Sequence, residues 1–247
     1  MDLGLTARTA IVCGASSGIG LGIAESLAAE GANVVLFARR REELEREAER
    51  LGGLAVVGDV TSPDDLERLV RSTTDAFGGI DILVNNSGGP PRANAAGLGA
   101  DQVQSAVELL LLSVVRLTAL CLPYLERSDA GRIVNVTSSA VREPIENLVL
   151  SNLVRPGVIG WAKTLARELG PAGITVNSIA PGWIDTERIR EVYPDGPTDA
   201  DLQAIPLRRL GTPRELGDVV AFLCSDRASY VTGTLVTIDG GLTRGLF

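Results

Sequence analysis

Ser151 and Arg155 stand one helical turn apart in "VLSNLVRPGVIGWAKTLAREL", residues 149–169, where apolar and small residues recur at helical spacing. The serine offers a weakly acidic hydroxyl on a short side chain. The guanidinium stays charged and presents several donors, which suits holding hydroxyl groups better than relaying protons. Ser151 and Asn152 are also helix-capping types, and Pro156 is best tolerated near a helix start, so a capping role stands open beside a site role. Ser138 adds a second hydroxyl upstream. Histidine is absent, so a general base must be a carboxylate, a tyrosine, the sole lysine Lys163 or a bound water. Lys163 falls about 12 Å beyond Arg155 at 1.5 Å per residue and reads as a surface charge. Glu143, Glu146 and Tyr193 are the other conceivable proton donors, although such residues are more often simply solvated.

A second constellation opens the chain. "CGASSGIGLGIAESLAAEG" puts Gly14, Gly18 and Gly20, with Ser16, Ser17 and Ile19 between them, in a turn from a strand into a helix. Glycines let backbone approach a pyrophosphate, and a helix N-terminus attracts its charge. A glycine-rich turn can also just connect two elements, but with the strand, helix and second strand around it nucleotide binding is favoured. In "VVLFARRREELE" the place of a ribose-binding carboxylate is taken by Ala38, followed by Arg39 and Arg40. Lacking the acid and gaining base favours the 2′-phosphate of NADP(H) over NAD(H). The competing reading is a solvated helix start.

These residues need a frame. "TAIVC", "NVVLF", "LAVVG", "IDILVNN", "RIVNVT", "TVNSIA" and "LVTID" alternate with amphipathic segments, predicting seven parallel strands and six linking helices. Strands this apolar need cover on both faces, giving a doubly wound, Rossmann-type α/β fold with ligands at the carboxyl ends of the strands. One dinucleotide-binding domain is expected over 1–247. The irregular stretch 183–212, rich in Pro, Asp and Arg, is expected to be a lid over the substrate, with a disordered insertion as the alternative. A net charge of -8 argues against nucleic-acid or anionic-membrane partners. Cys13, Cys121 and Cys224 have neither disulfide nor metal-ligand spacing, and no metal site is expected. There is no uninterrupted apolar run of about 18 residues and no signal-peptide pattern, so a cytoplasmic protein is expected.

"GASSGIG", "GDVT" at Gly58 to Thr61, "NNSG" at Asn85 to Gly88, "GRIVNVTSS" at Gly131 to Ser139, "VNSIAPGWIDT" at Val176 to Thr186 and "VTGTLVTIDGG" occur in this order over nearly the whole chain. They resemble the short-chain dehydrogenase/reductases, and most closely the 3-oxoacyl-(acyl-carrier-protein) reductase branch. The resemblance implies that Asp59 and Val60 flank an adenine. It implies that Asn86, Ser87 and Gly88 support a ribose, and that Pro181, Gly182, Ile184 and Thr186 line the nicotinamide end, with Ile184 and Thr186 touching it.

The catalytic pattern of that family is a Ser, a Tyr thirteen residues on, a Lys four after that, and an Asn on the preceding long helix. Ser138 keeps the first place, but Ser151 stands for Tyr, Arg155 for Lys and Leu110 for Asn. Ser138, Ser151 and Arg155 are therefore the catalytic candidates. Arg155 is expected to anchor the ribose and Ser151 to contribute no essential proton. Two functions stay open: an NADP(H)-dependent reductase of a small-molecule or acyl-thioester carbonyl with an altered proton donor, or a cofactor-binding sensor or partner subunit that has lost turnover. "ELLLLSVVRLTALCLPYL" is apolar nearly all round, so a homotetramer, as is common in the family, is expected.

Overall fold

The computed structural model describes residues 2–193 and 195–245. Met1, Leu246 and Phe247 of the expected domain, and Pro194 of the expected lid, lie outside the described residues. The strands are β1 (Thr9–Cys13), β2 (Asn33–Ala38), β3 (Leu54–Val57), β4 (Ile82–Asn85), β5 (Arg132–Val136), β6 (Thr175–Pro181) and β7 (Leu235–Ile238). All are parallel in one sheet of order β3-β2-β1-β4-β5-β6-β7. Each begins at or within two residues of its apolar run, because strands covered on both faces carry an unbroken hydrophobic signal. The order reverses between β1 and β4, which opens a crevice at their carboxyl ends.

Among the described residues the helices are α1 (Gly18–Ala29), α2 (Arg41–Leu51), α3 (Pro63–Phe77), α4 (Ala100–Val107), α5 (Ser113–Leu125), α6 (Val149–Leu169), α7 (Glu187–Val192), α8 (Asp199–Ala204) and α9 (Pro213–Cys224). The number exceeds six for two reasons. A π-helical turn, Glu108–Leu112, divides one long helix into α4 and α5, and the stretch 183–212, expected to be irregular, contains α7 and α8. Local chemistry sets several starts. Ser62 accepts a hydrogen bond from Asp65 N at 3.3 Å ahead of Pro63, and Thr212 and Glu215 cap α9 reciprocally.

One face of the sheet buries Val12, Leu36, Val84 and Ile179 under α1 and α9. The other buries Ile11, Phe37, Leu83 and Ile133 under α3, α5 and α6. On the first face the two covering helices touch backbone to backbone. A Cβ on Gly217 would come within 2.3 Å of Gly22 O and 2.5 Å of Ser26 Oγ, so only glycine permits this approach. Gly217→Ala should lower stability by about 1–3 kcal/mol through overpacking. Gly79→Ala, where a Cβ meets nothing within 4 Å, should change it by less than about 0.5 kcal/mol. Urea unfolding midpoints of the two variants check the contrast.

Candidate active site

The turn after β1 is held by its own glycines. Gly14 and Gly18 have φ of 61° and 57°, in the left-handed region, and a Cβ on Gly20 would stand 2.2 Å from Gly14 O. Asn86, just past β4, donates its Nδ2 to Cys13 O at 3.1 Å and so clamps β1 to β4 at the crevice. The amide thus braces the turn beside the place expected for a ribose. Ser87 is half-buried, and Gly88 is exposed with open space around it. The half-buried Ile19 packs against the core.

The two arginines after β2 diverge. Arg40 reaches back over the turn, with Nη2 on Ser17 Oγ and Nε 3.4 Å from Ser16 Oγ. Arg39 is 78% exposed and lies 3.8 Å from Asp59 at the end of β3. Asp59 Oδ1 accepts from Thr61 N and Oγ1, and Val60 packs against the core beside it. Arg40, Ser16, Ser17 and the start of α1 thus form a compact donor set suited to a phosphate. Sequence reasoning missed one member of this cluster, Glu187, whose Oε2 lies 3.1 Å from Arg40 Nη1. Its only signal in the sequence is an acid in the first turn of a helix, a very common feature.

On the other side of the crevice, Ser151 and Arg155 are both buried in α6. The capping alternative does not hold. Leu148 occupies the N-cap, Asn152 instead exchanges two hydrogen bonds with the backbone of Ile145, and Pro156 sits well inside the helix. Ser151 Oγ accepts from Arg155 Nε at 3.1 Å, while Arg155 Nη1 donates to Val136 O at 3.0 Å, at the end of the strand that leads to Ser138. Arg155 Nη2 has no partner among the described residues. Ser138 Oγ accepts from Ala140 N at 3.1 Å, leaving its hydroxyl hydrogen free to donate. Leu110, in the π-helical turn, is 2% exposed and packs with Ala106, Leu150 and Val154, so an apolar cluster lies where the family pattern has a polar side chain.

The remaining candidates separate. Gly182 is forced by Asp239, whose Cβ would be 2.5 Å from an added Cβ; Pro181 ends β6, and the Thr186 methyl would lie 3.3 Å from a Cβ on Gly18. The side chain of Ile184 is buried and packs in the core. Glu143 Oε1 accepts from the backbone N–H groups of Arg244 and Gly245 and is not a free acid. Tyr193 stacks on Trp183 at 5.3 Å, and burial and then Asp201 raise its pKa, making it a poorer proton donor. Glu146 is exposed. Lys163 donates to Gly233 O at 2.8 Å, away from the crevice.

The family model described as enoyl-(acyl carrier protein) reductase matches residues 14–243. The chain belongs to the short-chain dehydrogenase/reductase family. It is 37% identical to the 3-oxoacyl-(acyl-carrier-protein) reductase FabG of Vibrio cholerae over 244 residues, 97% of this chain and 99% of that one. It is also 37% identical to the oxidoreductase UcpA of Escherichia coli strain K12, over 97% of this chain and 95% of that one. Its fold superposes on L-sorbose reductase from Gluconobacter frateurii, solved with NADPH and L-sorbose, with a TM-score of 0.92, 35% identity and full coverage of both chains. This is a family of oxidoreductases.

Electrostatically, Arg155 is the exceptional group. Burial alone lowers its pKa to about 10, with no carboxylate to offset it. Because the folded value lies below the unfolded one, the cost of charging it is carried in full at neutral pH. That cost is relieved only as pH rises through about 10. A shift of this size is on the order of 3 kcal/mol, less what the two hydrogen bonds return. Arg155→Met should therefore raise the melting temperature of the cofactor-free protein while weakening cofactor binding about tenfold or more. Calorimetry and a cofactor titration on the same sample check both signs.

Proposed function

We propose that this protein is an NADP(H)-dependent carbonyl reductase that stabilises the carbonyl oxygen with a buried guanidinium instead of protonating it from a tyrosine. The observation that carries this reading is Arg155, held at two corners by Ser151 and Val136 O, with no partner for its third nitrogen among the described residues. Arg40, Ser16 and Ser17 suit the 2′-phosphate, the N-terminus of α1 suits the pyrophosphate, and the open backbone at Gly88 leaves room for a ribose. When bound, the nicotinamide supplies the hydride. Ser138 donates a hydrogen bond to the carbonyl oxygen, and Arg155, the expected anchor of the ribose, also meets the negative charge that grows on that oxygen. The proton then comes from solvent, since Leu110 and its neighbours offer no polar relay and the Ser151 hydroxyl is too short and too weakly acidic to supply it. Ser151 is a positioning residue in this scheme.

The substrate is a 3-oxoacyl thioester or a small ketone, supported by the FabG and L-sorbose reductase likenesses, and the segment carrying α7 and α8 acts as its lid. The buried free thiols suit a reducing cytoplasm, and the continuous sheet suits a single domain. A second reading, a cofactor-binding member without turnover, is favoured by the apolar cluster around Leu110.

Charge-assisted bonds to phosphate contribute about 1.5–3 kcal/mol, so NADPH should bind roughly ten- to a hundredfold tighter than NADH. Arg40→Ala should remove most of this preference and Arg39→Ala a smaller part, as fluorescence titrations will show. Loss of NADPH absorbance should follow addition of 3-oxoacyl thioesters or ketones. Ser151→Ala should then lower turnover only a few-fold, against the 10²- to 10⁴-fold a positioned acid contributes. Tight NADPH binding with no turnover on any carbonyl selects the second reading.

We also propose a homotetramer. The run Ala100–Leu125 has a mean hydropathy of 1.9 over its most apolar window and is long and apolar enough to cross a membrane, yet Glu108 and Arg116 form an ion pair on it. Only 33% of that window is buried within the chain, and a second copy is the cover it suits. Light scattering at micromolar concentration should give four chain masses, or two at the least; a monomer overturns the proposal.

A further inference from the structure

Arg40 faces a carboxylate from the substrate side of the crevice as well as the serines of the glycine turn. Glu187, the first residue of α7, places Oε2 at 3.1 Å from Arg40 Nη1 and 3.4 Å from Ser17 Oγ. The methyl of its neighbour Thr186 would lie 3.3 Å from a Cβ added to Gly18. Arg40 Nη1 also has Glu43 at 3.6 Å, but Glu43 belongs to α2, the helix that Arg40 itself leads into, so that pair ties together no separate elements. The Glu187 pair does: it fastens the segment after β6 to the turn after β1. The acceptor it presents is an anion, and it sits on the donors that suit a phosphate.

We infer that Glu187 is an internal competitor for the 2′-phosphate, so that a cofactor bearing this phosphate detaches α7 from the glycine turn and a cofactor lacking it does not. The inference rests on the NADP(H) reading above and extends it to control of the substrate segment. Two anions cannot share one guanidinium and one serine hydroxyl without repulsion, and the phosphate brings more charge and more acceptor oxygens. Coupling of this kind is reciprocal: docked α7 weakens phosphate binding by the same factor by which phosphate weakens docking. Glu187 thereby sets both the cofactor preference and the condition for releasing the segment over the substrate. NADH would bind with that segment still fastened.

The pair is partly exposed, with side chains 41% and 59% accessible, so its effect is modest. Exposed ion pairs correspond to a factor of about two to five. The test uses adenosine 2′,5′-bisphosphate as a probe that carries the phosphate without the nicotinamide, on the intact protein in low salt. Glu187→Gln and Glu187→Ala should bind it about two- to fivefold tighter than the unaltered protein, with NADH affinity unchanged, and the gain should vanish in an Arg40→Ala background. Raising the salt should shrink the difference.

Trp183, three residues before Thr186 and stacked on Tyr193, reports on the segment. In a Trp161→Phe background the probe should change Trp183 emission in the unaltered protein and in Glu43→Gln, but not in Glu187→Gln, whose segment is already released. If NADPH still binds tighter than NADH but Glu187→Gln neither tightens the probe nor abolishes the Trp183 response, the latch is wrong and the cofactor reading stands. If the unaltered protein binds NADPH and NADH equally, the cofactor reading falls and takes the latch with it.

Discussion

The site depends on the absence of a side chain at Gly20. Helix α1 can begin directly after β1 only because nothing stands between Gly20 and the carbonyl of Gly14, and Asn86 then locks that turn to the far side of the crevice. The tightness of the turn aims the first amides of α1 outward, and it brings Ser16 and Ser17 within reach of Arg40. Everything that can hold a dinucleotide on that side follows from one backbone contact. The reversal of strand order supplies the space, and the contact supplies the donors.

Across the crevice the organising fact is an uncompensated charge. A lysine beside a tyrosine can serve by moving the tyrosine's proton. Arg155 has no such partner, and Ser151 is too short and too weakly acidic to become one. What the chain keeps is a fixed cation, braced by a hydroxyl and a strand carbonyl, with apolar Leu110, Leu150 and Val154 shutting out a polar route behind it. Such an arrangement favours any negative charge brought to it and transfers no proton itself. In the proposed reductase, proton supply and charge stabilisation, which one pair can combine, are separated.

The strands were legible almost to the residue, because burial on both faces writes each one as an apolar run between polar helices. The glycine turn was legible for a related reason: close backbone approach leaves only one residue type possible. Side-chain direction was not. The motif did not show that the Asn86 amide also braces the glycine turn or that the Ile184 side chain packs in the core, because a motif gives a residue's place and not its rotamer. Ser151 and Asn152 read as caps because Pro156 suggested a helix start, whereas α6 begins earlier at Val149 and carries the proline within it. The pair from Arg40 to Glu187 was hidden because ion pairs between distant segments leave no periodic trace.

The backbone contact between Gly22 and Gly217 bears on the order in which the molecule can assemble during synthesis. β1 and α1 emerge from the ribosome early, but the surface of α1 that carries Gly22 is matched to α9, translated almost two hundred residues later. Until then the apolar face shared by α1 and β1 lacks part of its cover, although β2 and β4 can already pair with β1. The nascent chain therefore spends many seconds, at about 5–20 residues per second, with part of its first-made core open. The last helix to arrive closes the first one made.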